Sequence, residues 1–281
     1  MKKIYLALIL VLMYIPIVLV IVYSFNASRL NSVWSGFSLT WYRELFRDRA
    51  IFEALRNSLV LAVSSSLTAA VIGTLGAVGM EWEKLKAKNK PAMYSSNGRL
   101  RPIVEYLSIL PIMIPEIILG MVLLAFFSLL GLPLGMLTLV LAHSCFCIPY
   151  VYLLVKARLA GLDRSYSEAA RNLGADSWRS FRDIMLPLIM PAVISGILLS
   201  FAMSFDDVII SIFVTGPHTN TLPIRIYTQI KTGVTPKTNA LCSLLFVITV
   251  LLCILSMAVL RIRPPENNGE KADTETRMYK A

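Results

Sequence analysis

The sequence predicts an all-α integral membrane protein with six transmembrane helices and both termini on the cytoplasmic side. Three observations lead there. Of 281 residues, 56% are apolar or aromatic and 16% charged, where soluble domains carry about a quarter; the mean hydropathy is +0.68. Six apolar stretches are long enough to cross a hydrocarbon core, which takes about 20 helical residues. Lys and Arg, finally, collect on alternate sides of those stretches.

The first stretch, residues 4–25, follows Lys2 and Lys3 and resembles a secretory signal, but no small-x-small cleavage site comes after it, so it reads as a retained helix. The second, 57–80, holds Ser64, Ser65, Ser66, Gly73, Gly76 and Gly79, small residues suited to close helix contacts rather than to cradling phosphate. The third, 103–130, carries Pro111, Pro115 and, halfway along, Glu116. The fourth, 133–155, contains His143, Cys145, Cys147 and Pro149. The fifth, 188–214, places Asp206 and Asp207 in its outer half, and the sixth covers 239–260. Lipid-embedded helices tolerate internal prolines when neighbours satisfy the freed carbonyls. The four cysteines all fall in apolar runs, so no disulfide framework is visible.

Orientation follows from the loops. With the N-terminus inside, the inside segments hold Lys2 and Lys3, six basic residues in 81–102, six in 156–187 and five from 261 onward; the outside segments hold five in 26–56 and three in 215–238. Nineteen against eight puts both termini inside. The net charge of +10, which in a soluble protein would suggest nucleic acid, is thereby a topology signal, and no nucleic-acid partner is expected.

The inside loop 156–187 is too polar to span. Residues 164–173 are good helix formers, Gly174 follows where a left-handed residue ends a helix, and Asp176 or Ser177 can cap a second short helix that stops at Pro187. On periodicity alone this could be an interfacial hairpin that shields headgroups. Its residues say more. Glu168-Ala169-Ala170, Gly174, Ile184 and Leu186-Pro187 spell EAA, three residues, G, nine residues, I-x-LP. This pattern resembles the EAA loop of permease subunits in bacterial ABC importers. The resemblance implies a type I importer permease (MetI-like) fold over 1–262; the polar cytoplasmic tail over 263–281 is expected from its composition to be disordered. The resemblance also implies that Glu168, Ala169, Ala170, Gly174, Ile184, Leu186 and Pro187 couple the chain to a cytoplasmic ATPase.

Further segments carry a narrower resemblance: Asn26, Trp41 and Tyr42; Pro115-Glu116-Ile117; residues 143–149; residues 204–208; residues 213–217; and Asn239-Ala240-Leu241. Together they resemble the smaller permease of spermidine/putrescine importers. The partners this implies are a homologous second permease, two copies of the ATPase and an extracytoplasmic polyamine-binding protein, in the bacterial cytoplasmic (inner) membrane. ATP and Mg would then sit on the ATPase, with no cofactor on this chain. The basic loop 81–102 and the tail depart from that pattern. No GxxxxGK[ST] motif occurs, so the chain is expected to be a non-catalytic subunit.

The scarce acids point the same way independently. A carboxylate at membrane depth is costly and marks a pathway by default. Adjacent helical positions point about 100° apart, so one of Asp206 and Asp207, with Glu116, is expected to attract the ammonium groups of a polyamine while the other braces the helix or the partner permease. Phe205, Phe213 and Tyr152 are candidates to contact its methylenes or make cation–π interactions. Alternatively these acids hydrogen-bond across the bundle or are protonated in place. His143, Cys145 and Cys147 alternate by two, which spreads them over a helix and favours packing over metal binding. Competing readings are a permease for another small cationic solute, a stand-alone secondary transporter, which would need no docking loop, and an intramembrane enzyme.

Overall fold

The computed structural model describes residues 2–29, 33–86, 100–163, 165–172 and 174–262. The tail 263–281 and residues 87–99 of the basic inside loop lie outside the described residues. Apart from one isolated antiparallel bridge between Asn26 and Phe37, the regular structure described is helical. The chain divides into two compact units, Met1–Arg47 with Gly233–Ala281, and Asp48–Thr232.

The first unit contains α1 (Lys2–Tyr23), α2 (Thr40–Arg47) and α12 (Pro236–Ile262), with α12 packed on both others. Between α1 and α2 the chain folds back on Asn26, which is fully buried. Its amide donates to the Val33 carbonyl at 2.7 Å and accepts from the Ser35 N–H at 3.0 Å, while its own carbonyl accepts from the Trp41 indole at 2.7 Å. The side chain thus replaces the backbone partners that an irregular segment lacks.

The second unit is built on α6 (Met136–Ala160), with α3 (Arg49–Lys86) and α9 (Leu186–Asp206) against it. Small residues permit the approach. A Cβ on Gly73 of α3 would lie 2.9 Å from Val151 Cβ, and one on Gly196 of α9 would lie 3.2 Å from Val151 Cα, so Val151 is held between two glycines. Gly76 sits over the Tyr152 ring. These are the close contacts expected of span two, except at Gly79, where a Cβ would meet nothing within 4 Å.

Two expected spans are not continuous. Residues 103–130 form α4 (Leu100–Met113) and α5 (Glu116–Leu129), bent by 111° at the break. Ile114 precedes a proline, which disfavours helical backbone, and Pro115 itself is extended at φ −53°, ψ 133°. Residues 188–214 likewise divide into α9 and α10 (Ile209–Val214), because Asp207 is extended at φ −67°, ψ 130°. Among the described residues, four helices are long and apolar enough to cross a membrane, five if the bent pair counts as one.

The hairpin expected between the fourth and fifth spans begins as the sequence suggested. In α7 (Ser165–Asn172) the Ala170 carbonyl accepts from the Ala175 N–H at 3.0 Å around Gly174 at φ +81°, the closing bond of a Schellman turn. Asp176 then caps α8 (Ser177–Ser180), accepting from the Arg179 N–H at 2.7 Å. The expected stop at Pro187 is a correction: the helix widens into a π segment, Phe181–Met185, and continues into α9. A wider turn makes room for the proline ring and for the hydrogen bond it cannot donate. After α10, α11 (Leu222–Thr232) closes the unit.

Candidate functional site

The two helix breaks bring most of the sequence-expected site residues into the second unit, where they separate into two kinds. Glu116 opens α5 and Asp206 ends α9. Both are exposed, and among the described residues neither carboxylate takes part in a hydrogen bond or ion pair. Asp207 is the opposite case. Its side chain is only 6% exposed. One oxygen accepts from the Ile210 N–H at 3.2 Å, and the other accepts from the N–H and the hydroxyl of Ser211, both at 2.8 Å. It therefore caps α10 across the break. The expectation that two neighbouring aspartates diverge on one helix is corrected: the helix ends between them, and Asp207 is the one whose carboxylate is hydrogen-bonded to α10.

Behind Asp207 lies a buried polar network that sequence reasoning missed. His143 of α6 is fully buried. Its Nδ1 lies 2.8 Å from Ser204 Oγ on α9, and its Nε2 lies 2.9 Å from Ser211 Oγ on α10 and 3.4 Å from Asp207 Oδ2. Ser65 of α3 donates to Ser204 Oγ at 2.9 Å. Four helices meet through hydroxyls and one imidazole. The available signal was the spacing of Ser204, Asp207 and Ser211 at three and four residues, one face of a helix. Cys147 is spent on the neighbouring contact, its thiol 3.5 Å from the Ser200 carbonyl. Among the described residues no group of three His, Cys, Asp or Glu side chains is arranged to hold a metal.

The aromatic candidates also divide. Phe213 of α10 is half-buried and lies against Gly120, where a Cβ would come within 2.6 Å of its ring. It therefore fixes α10 on the helix that Glu116 begins. Phe205 is half-buried and stacks on Phe201 at 5.9 Å between centroids. Tyr152 is 1% exposed, enclosed beneath Gly76, with the Lys156 ammonium 5.7 Å over its ring. Lys156 also pairs with Glu105 of α4. The far end of α10 is fastened by Thr138, whose hydroxyl donates to the Val214 carbonyl at 3.0 Å.

On the α7–α8 hairpin, Ala169 is exposed and Ala170 buried; Glu168 lies in α7, and its side chain is outside the described residues. Ile184 and Leu186 are half-buried, and Pro187 is exposed. Tyr166 and Trp178 stand out on the surface.

A family model described as the binding-protein-dependent transport system inner membrane component matches residues 91–265. The chain belongs to this permease family. As a permease it is 40% identical over 258 residues to the spermidine/putrescine transport system permease protein PotC of Escherichia coli K12, covering 92% of this chain and 93% of that one. It is 39% identical to the PotC of Haemophilus influenzae over 89% and 92% of the two chains. To the E. coli K12 putrescine transport system permease protein PotI it is 40% identical over 83% and 81%. Among solved structures, a bacterial ABC transporter that imports alginate superposes with a TM-score of 0.68 at 13% identity, covering 92% of the permease and 94% of that chain. The MetNI methionine ABC transporter gives 0.59 at 19% identity over 80% and 97%. The fold is that of ABC transporter membrane subunits, and the permease is a multi-pass membrane protein.

Proposed function

We propose that this permease forms half of the translocation pathway of an ATP-driven importer for polyamines, spermidine and putrescine, in the bacterial inner membrane. The observation that carries the substrate class is the pair of carboxylates at the two helix breaks: Glu116 and Asp206 are exposed and have no cationic partner among the described residues. Burying them without a partner would be costly. A substrate with ammonium groups separated by methylenes supplies the missing charge, with Phe205 and Phe213 beside its apolar stem. The PotC and PotI relatives support this substrate in particular.

In this reading the bent pair α4–α5 counts as one span and α12 completes six, with both termini inside. Residues 1–262 are the permease domain and 263–281 a cytoplasmic tail. A homologous permease completes the pathway, and an extracytoplasmic binding protein delivers the polyamine. Two ATPase copies hold ATP and Mg and dock on Glu168, Ala169, Ala170 and Gly174, while Ile184, Leu186 and Pro187 pass the motion into α9. This chain itself catalyses nothing. Alternating access follows because ATP-bound and ATP-free partners bind the two states with different affinity.

Uptake of labelled putrescine and spermidine by cells carrying the whole system tests the substrate, with Glu116→Gln and Asp206→Asn compared at equal membrane abundance. Reduced uptake in both supports the pathway. Unchanged uptake in both overturns it, and faster uptake of another small cation in the parent chain moves the assignment to that solute. Co-purification tests the class: a tagged chain without an ATPase partner, together with normal transport by Glu168→Lys, overturns the importer.

A further inference from the structure

We infer that His143 is a positioning residue that holds Asp206 at its place beside the α9–α10 break. The inference rests on the pathway role proposed for Asp206. The imidazole reaches both sides of the break: Ser204, two residues before Asp206, and Ser211 with Asp207 beyond it. It does so from α6, whose packing between Gly73 and Gly196 leaves little freedom to move. The hydrogen bonds run in one direction. Ser211 donates its hydroxyl proton to Asp207 Oδ2, so its oxygen is left to accept from His143 Nε2–H. That tautomer leaves Nδ1 to accept from the Ser204 hydroxyl, whose oxygen lies 2.9 Å from the Ser65 hydroxyl, a group that also reaches the Leu61 carbonyl at 2.8 Å. Every polar atom of the relay has a partner, and the relay spans the break at Asp207, where the backbone is extended. Removing the imidazole uncouples the end of α9 from the start of α10. Asp206 is the residue at that end, and no described side chain holds it directly.

The experiment uses the complete transporter, with ATPase, partner permease and binding protein, reconstituted in liposomes. The quantity measured is labelled putrescine carried per ATP hydrolysed, which loss of folded protein does not change. Asp206→Asn is expected to lower this ratio about tenfold, and His143→Leu to lower it about fivefold. In the His143→Leu/Asp206→Asn double variant the second change should add nothing. His143→Gln, whose amide can still donate to Ser211, should recover more than half of the ratio. If the double variant falls by the full product of the single effects, or if His143→Leu keeps the parent ratio, the positioning role is overturned while the pathway stands. If Asp206→Asn alone keeps the parent ratio, the pathway itself fails and the positioning role with it. Should His143→Leu not assemble, Ser204→Ala and Ser211→Ala each remove two bonds of the relay, one of them to the imidazole, and give the same comparison.

Discussion

Asp207 accepts two 2.8 Å hydrogen bonds from a single residue, Ser211, through its backbone N–H and its hydroxyl. With the Ile210 N–H at 3.2 Å, the carboxylate gathers three donors at a point where the helix has ended. Asparagine keeps one acceptor oxygen and alanine keeps none. Asp207→Asn should therefore lower the melting temperature of the detergent-purified transporter modestly, and Asp207→Ala by clearly more, at about 1–3 kcal/mol for each donor left buried and unsatisfied. Equal melting of the two variants would show that the three bonds contribute nothing.

The glycines of α3 give an internal comparison. Gly73→Ala puts a methyl 2.9 Å from the Ile148 carbonyl and Val151 Cβ, whereas Gly79→Ala meets nothing within 4 Å. The first should cost about 1–3 kcal/mol by overpacking. The second should be neutral or slightly stabilising, since alanine is the better helix former. Membrane abundance and thermal denaturation of the pair are the measurements.

Phe213 and Gly120 should behave as a couple. Gly120→Ala pushes a methyl into the Phe213 ring, and Phe213→Leu offers a smaller, more adaptable side chain. Uptake lost in Gly120→Ala should be restored at least partly in the double variant, a coupling of about 0.5–3 kcal/mol for residues in contact. Strict additivity would place the defect elsewhere.

Gly174 has φ +81° and open space where a side chain would be, so a substitution there is penalised through the backbone alone. Gly174→Asn should be tolerated better than Gly174→Ala, and Gly174→Val least, over a range of about 1–2 kcal/mol. The readout is polyamine-stimulated ATP hydrolysis by the assembled transporter, which should fall in that order.

Asn26 is fully buried and bonds Val33, Ser35 and Ser28. Asn26→Ala should loosen the turn between α1 and α2, giving faster amide hydrogen exchange at residues 33–38, while Asn26→Asp keeps the acceptor bonds and should exchange more slowly than alanine.

Much of this architecture was legible because its causes are local. Gly174 and Asp176 announced the hairpin turn and its cap through backbone chemistry confined to a few residues, and the apolar runs announced the spans. The breaks were half-legible. Pro115 followed by Glu116 is a helix-start signature inside an apolar run, and the same is true of an aspartate pair followed four residues on by Ser211; each was overridden by the length of the run. Pro187 misled in the other direction, because a π segment absorbed it. Of the His143 relay only the Ser204, Asp207, Ser211 spacing was visible in advance, since Ser65, His143, Ser204 and Ser211 belong to four helices and meet only once those helices pack.

The uninterrupted helix Trp178–Asp206 has 29 residues and is about 43 Å long. It begins in the α7–α8 hairpin and ends at the acid proposed to meet the substrate. Under the proposed coupling, tilting it as one body by about 10° about its hairpin end would carry its tip through about 7 Å. The run of helical residues from the hairpin to that acid is broken neither at Pro187, which follows the π turn, nor at Pro191 within α9.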